Sequence, residues 1–166
     1  MDARHFLSII RKVALEDKDF LVRRMSSHAL ALMESAKAGD ALLEVLQKEN
    51  DDMGVKINAW YGLAKLKRPE AVDTFENVLD AAGGDIPCDL LVNAALDVSI
   101  GNPTLLPALQ KAYNRKQVST WIKSKILQVL GKAEGVEYAP FLKGVAADSA
   151  TEEALRKSAR DALEGK

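Results

Sequence analysis

The chain has 166 residues, 48% hydrophobic and 28% charged, with a formal net charge of −1. That is enough apolar material for a buried core without metal or disulfide staples, and too little net charge for general attraction to nucleic acid or an acidic membrane. A single cysteine, Cys88, excludes an internal disulfide and a cysteine-rich zinc site, and fits a reducing cytosol. The opening M-D-A-R-H-F-L-S-I-I-R-K lacks the apolar core of a secretory signal, and no apolar run approaches the roughly 18 residues that span a bilayer. A cytoplasmic protein with no membrane contact is the expectation. Aromatics are only 5%, which suits close-packed helices better than sheets.

Taken in chain order, Phe6, Ile9, Ile10, Val13 and Ala14 recur at helical spacing and predict an amphipathic helix over 3–16, half a repeat capping a stack. Helical hairpins are then expected at about 20–49, 52–81, 86–113 and 119–147, with a terminal half repeat at 151–164, all in one domain. The unit is clearest from Asp51 to Leu79: an apolar-faced helix, a turn at Pro69, and a second apolar-faced helix. Val22, Val55, Leu90, Ile122 and Leu155 return as anchors at intervals of 33, 35, 32 and 33 residues. Four residues on stand Ser26, Ala59, Ala94, Ile126 and Ala159, and eight on stand Leu30, Leu63, Val98, Leu130 and Leu163, so each set shares one helix face. Turn signals fall between the helices, at Arg68-Pro69, Gly101-Asn102-Pro103, Gly131 through Gly135, Asn50-Asp51-Asp52 and Gly83-Gly84. Asp40 is a natural N-cap for the second helix of the first hairpin. Nothing alternates with period two over a strand's length, so no sheet is expected.

The segments Val22-Arg23…Ser26…Ala29-Leu30, Val55-Lys56…Ala59…Gly62-Leu63, Ile122-Lys123…Leu130-Gly131 and Leu155-Arg156…Ala159…Ala162-Leu163 resemble the HEAT repeat, nearest to the short variant of phycocyanobilin lyase subunits. Pro107-Ala108-Leu109 and Pro140-Phe141-Leu142 resemble that variant's Pro-Leu pair. Leu91 stands where the family has a basic residue, and Ile126-Leu127 where it has two alanines. The resemblance implies an all-α fold, a right-handed α-solenoid of stacked helical hairpins akin to HEAT and armadillo superhelices. It also implies pairs between the base after each anchor and an acid just before the helix: Arg23 with Asp17 or Asp19, Lys56 with Asp51 or Asp52, Arg156 with Glu152. Second helices would line the concave side.

Charge is segregated. Seven acids and no base lie between Pro69 and Asp97, and six bases and no acid lie between Val98 and Ala133. Asp73, Glu76, Asn77 and Asp80 share one face of a second helix. Lys111, Arg115 and Lys116 end the next second helix, with Tyr113 and Trp121 nearby. These nine residues are the candidate surface for a protein partner, or for head-to-tail self-association; the alternative is that neighbouring repeats attract each other. Trp60 is expected in the core, whereas Trp121 precedes its anchor in a basic junction. Phosphate-backbone binding is disfavoured by the adjoining acidic block. His5 and His28 are the only histidines, no nucleophile, metal or phosphate-loop motif is present, and Cys88 reads as an inert buried thiol. The expectation is a non-enzymatic scaffold or adaptor without cofactor, with an auxiliary subunit of a tetrapyrrole lyase as the alternative implied by the resemblance.

Overall fold

The computed structural model describes residues 3–49, 51–133 and 137–165, with side chains from residue 5 onward. Asn50 and residues 134–135 of the expected turns lie outside them. The described residues form ten α-helices and no strand: α1 (Ala3–Glu16), α2 (Phe20–Leu32), α3 (Ala36–Gln47), α4 (Met53–Lys65), α5 (Pro69–Ala81), α6 (Asp85–Ser99), α7 (Leu106–Tyr113), α8 (Thr120–Lys132), α9 (Ala139–Ala147) and α10 (Glu153–Leu163).

Local chemistry starts these helices. Asp19 accepts the Leu21 N–H at 2.8 Å, Asp52 accepts those of Gly54 and Val55, and Ser119 accepts that of Ile122, each meeting donors that a helix start leaves free. Pro69 opens α5, where its missing N–H costs little. The expectation for α3 needs correction: its cap is Ser35, which accepts the Ala38 N–H at 3.2 Å, so A-K-A-G is helix rather than turn. Asp40 lies inside α3 and instead meets Arg68 of the next hairpin at 3.1 Å. Lys67 ends α4 in the left-handed region at φ 54, and the Arg68 N–H closes the end on the Leu63 carbonyl. Glu34, 33 residues earlier, sits at φ 45 after α2, so the same device recurs one repeat apart.

The helices form two rows. First helices α2, α4, α6, α8 and α10 stack on one another down the chain, and α1, α3, α5, α7 and α9 lie behind them. Same-register contacts make the first row parallel: Asn58 donates to the Arg24 carbonyl, the Tyr61 hydroxyl to Asp97, and the hydroxyls of Ser124 and Ser158 meet at 2.6 Å. The core runs between the rows. Leu30, Leu63, Val98 and Leu130 are all buried, as the anchor pattern requires, whereas Leu163 at the end of the last helix is 37% exposed. Trp60 is fully buried, tilted against Phe75 at 5.2 Å, and its indole N–H donates to the Ala71 carbonyl at 2.8 Å.

Small residues decide how closely the first row packs. A Cβ on Gly62 would lie 2.7 Å from the Ala31 Cβ, and one on Gly131 would lie 2.7 Å from the Ala162 Cβ. These contacts join α2 to α4 and α8 to α10 closely. Between α6 and α8 the contact is sparser, and a cleft lined by Leu96 and Val129 among others lies between them.

Two anchors differ from the expected register. Leu90 is 52% exposed and Leu91 is fully buried, so α6 is rotated by one residue and Leu91 takes the anchor position, 36 residues after Val55. This explains why a base is absent at 91. Val22 is 39% exposed because α2 is the first helix of its row and has no earlier one beside it.

The expected ion pairs are also rearranged. Arg23 does not pair with the Asp17 or Asp19 carboxylate; it donates to Asp51 of the next hairpin, and to the Asp17 carbonyl at 2.8 Å. Arg156 meets Glu153, while Glu152 accepts from Thr120 of the preceding repeat. No hydrogen bond or ion pair joins Lys56 to Asp51 or Asp52 through its side chain among the described residues.

Candidate functional site

The acidic stripe of α5 meets the basic end of α7. Lys111 Nζ lies 2.7 Å from Glu76 and Arg115 Nη1 lies 2.6 Å from Asp80, so these four residues of the expected surface form a brace between adjacent second helices. The hydrogen bond from Lys111 holds the Glu76 carboxyl below the ordinary carboxylate range. Asp73, Asn77 and Lys116 remain exposed on this side. Tyr113 is not a surface contact: it is buried, edge-on to Phe141 at 5.3 Å, because its ring fills the gap between α7 and α9. Elsewhere the acidic block is likewise occupied. Asp89 accepts the Ser119 N–H, Asp97 accepts from Tyr61, and Glu70 holds Arg68 at 2.8 Å.

Trp121 sits in a different setting from the other candidates. It is 63% exposed on the outward face of the first row, with Lys125 Nζ 3.7 Å from its ring centroid. Lys125 also donates to Asn93 of α6 at 3.0 Å, which fixes the cation over the ring. Cys88 is buried and donates weakly to the Leu79 carbonyl, and burial pushes its thiol up.

Counted from Val22, Val55, Leu91 and Ile122, the positions one before and three, six and ten after point outward from α2, α4, α6 and α8. The first set is Leu21, Gly54, Leu90 and Trp121; the last is Leu32, Lys65, Gly101 and Lys132. Of the twelve exposed large hydrophobic residues, five occupy these positions, Leu21, Met25, Leu32, Leu90 and Trp121, and Ile86 lies one turn before Leu90. In the second row Phe6 and Ile9 of α1 are exposed and none of the twelve lies on α3, α5, α7 or α9, where ion pairs such as Arg68–Asp40 and Lys111–Glu76 are found. The looser packing of the row opens two clefts on the same face. One, of about 370 Å³, lies between α6 and α8 and is lined by Asn93, Leu96, Asp97, Lys125, Gln128, Val129 and Lys132. The other, of about 220 Å³, lies between α4 and α6 around Tyr61, Lys65, Lys67 and Asp97. Of the residues singled out from sequence, only Trp121 belongs to this face. Its other members had a readable signal: apolar residues at positions opposite the core face of their helices, which burial in the helix's own repeat does not require.

Two stacked rows of helical hairpins define an α-solenoid. Residues 7–86 match the family model described as HEAT repeats, so this part of the chain is HEAT-like. Neither the curated proteins nor the solved structures gave a match. In general terms the family match points to an interaction scaffold. Among the described residues, no helix is long and apolar enough to cross a membrane, and no group of three or more His, Cys, Asp or Glu side chains is gathered as for a metal ion.

Proposed function

We propose that this protein is a non-enzymatic scaffold that binds a protein partner through the outward face of its first-helix row. The observation that carries this reading is the bias of the exposed large apolar side chains: five of twelve occupy the outward positions of the first row, and among the described residues the second row exposes only Phe6 and Ile9 of α1. Scattered surface hydrophobics are ordinary, but an apolar set that recurs on the same face of α2, α6 and α8 is the chemistry of an interface. Trp121 has the character of an anchor, being aromatic, exposed and held in place by Lys125. A groove on the second-helix side has less support, because Glu76 and Asp80 are already engaged with Lys111 and Arg115.

The test is affinity capture of partners from the source cell, with the full chain as bait. Trp121→Ala combined with Leu90→Ser should reduce recovery roughly tenfold or more, and Asp73→Lys should leave it unchanged. Recovery that depends on Asp73 and ignores Trp121 and Leu90 would move the interface to the second-helix side and end this reading.

A further inference from the structure

Resting on the reading above, we infer that the segment this face accepts is an amphipathic helix with an acidic edge, laid along the stack axis across α4, α6 and α8. The face is divided into two bands. Trp121 stands at the start of α8 and Leu90 in the first half of α6, and Lys65 and Lys132 end their helices, with Lys67 just beyond α4. Eleven residues separate Trp121 from Lys132, which at a rise of about 1.5 Å per residue is about 16 Å. A helix with its side chains is about 10–12 Å across, so one lying between the bands reaches both. An extended strand, about 5 Å wide between neighbours, reaches only one. The clefts of about 370 and 220 Å³ lie between the bands, under the path of that helix, where they can receive its side chains.

Charge selects the sign of the free edge. Around the clefts, the base band faces one acid on α6, Asp97, which already accepts the Tyr61 hydroxyl. Lys65 has Glu34 at 3.8 Å and the neutral Tyr61 ring at 6.0 Å, and the partners of Lys125 are the neutral Asn93 and the Trp121 ring. The band is left with net positive charge, which an acidic edge would neutralise and a basic edge would not. An exposed tryptophan beside lysines also suits a lipid surface. Here the apolar and basic groups flank concave clefts with Asp97 and Asn93 between them, which fits inserted side chains better than a flat array of anionic headgroups.

The experiment is selection from a displayed library of helical peptides of about 20 residues, long enough to cross three helices spaced about 10 Å apart. The library keeps a fixed apolar stripe and randomises both flanks between Glu and Lys. The target is the full chain, with excess Trp121→Ala protein as competitor. Glu should be enriched on one flank, and the selected peptides should bind roughly tenfold or more weakly to Trp121→Ala and to Lys65→Glu/Lys132→Glu. An unchanged melting temperature for both variants shows that the loss is one of binding. Enrichment of Lys, no preference in sign, or no binder at all overturns the inference, while the capture experiment still decides separately whether the face is an interface. Trp121-dependent retention on phosphatidylserine vesicles overturns it in favour of a lipid surface.

Discussion

Arg23 of α2 crosses to Asp51 at the start of the next hairpin, with Nη2 2.5 Å and Nε 3.0 Å from the carboxylate, whose side chain is fully buried. The same guanidinium donates to the Asp17 carbonyl, so one side chain ties the turn before α2 to the turn before α4. Burial alone would raise the Asp51 carboxyl, but the hydrogen bonds from Arg23, the Asp52 backbone and Lys48 outweigh it and hold the group below its ordinary value. Removing one partner of a buried pair leaves the other uncompensated, at a cost of about 3–5 kcal/mol. Asp51→Ala should therefore lower unfolding free energy by about that amount in urea denaturation. A loss under about 1 kcal/mol, the scale of an exposed pair, would show that the contact does not brace the stack.

Acid should weaken the stack over a defined range. The Glu70 carboxyl is held down at about 2, against an ordinary value of 4.5, chiefly by its hydrogen bonds from Arg68. Both Glu70 and Asp51 are depressed in the folded state, so the stability they contribute is present above the ordinary carboxylate value and lost as pH falls toward about 2. The melting temperature should drop between pH 4.5 and about 2, and Arg68→Met should flatten that drop while lowering the plateau above it. A melting temperature indifferent to pH across the interval would remove both carboxylates from the account.

Two glycines should respond in opposite directions to the same change. A Cβ on Gly131 would lie 2.7 Å from both the Ala162 Cβ and the Ala162 carbonyl oxygen, and the backbone cannot give way cheaply. Gly131→Ala should destabilise by about 1–3 kcal/mol. Gly144, within α9, has nothing within 4 Å of that position, so Gly144→Ala should stabilise by about 0.5–1 kcal/mol through helix propensity alone. Thermal melts of the two single variants decide it; a neutral Gly131→Ala would mean that α8 and α10 are not in close contact.

The two tryptophans should be separable by quenching. Trp60 is fully buried and Trp121 is 63% exposed. Acrylamide should quench one component readily, and Trp121→Ala should abolish that component while changing stability by no more than about 0.5 kcal/mol. A cost of several kcal/mol would place Trp121 in the core and remove it from the outward face.

The brace between α5 and α7 can be read by charge exchange. Reversing Lys111 and Arg115 to Glu should lower the melting temperature, and adding Glu76→Lys with Asp80→Lys should recover much of the loss, because the pairs Lys111–Glu76 and Arg115–Asp80 are re-formed with opposite sign. Absence of recovery in the fourfold variant would show that the two pairs are incidental.

What the sequence determined by itself is the repeat. Helix periodicity and turn chemistry are local, so the spacing of Val55, Ala59 and Leu63, or of Ile122 and Leu130, was enough to mark the helices, their buried faces and the all-α stack. The tertiary structure decided the rest, because partner choice depends on the distance and rotation between helices far apart in sequence. Close contacts at Gly62 and Gly131 draw some first helices together, while a cleft lined by Leu96 and Val129 lies between α6 and α8. A one-residue rotation of α6 exchanged Leu90 for Leu91 in the core. The acids at Glu76 and Asp80 were visible as a stripe, but only the approach of α7 engaged them, leaving the apolar side of α2, α6 and α8 as the face without a partner in the fold.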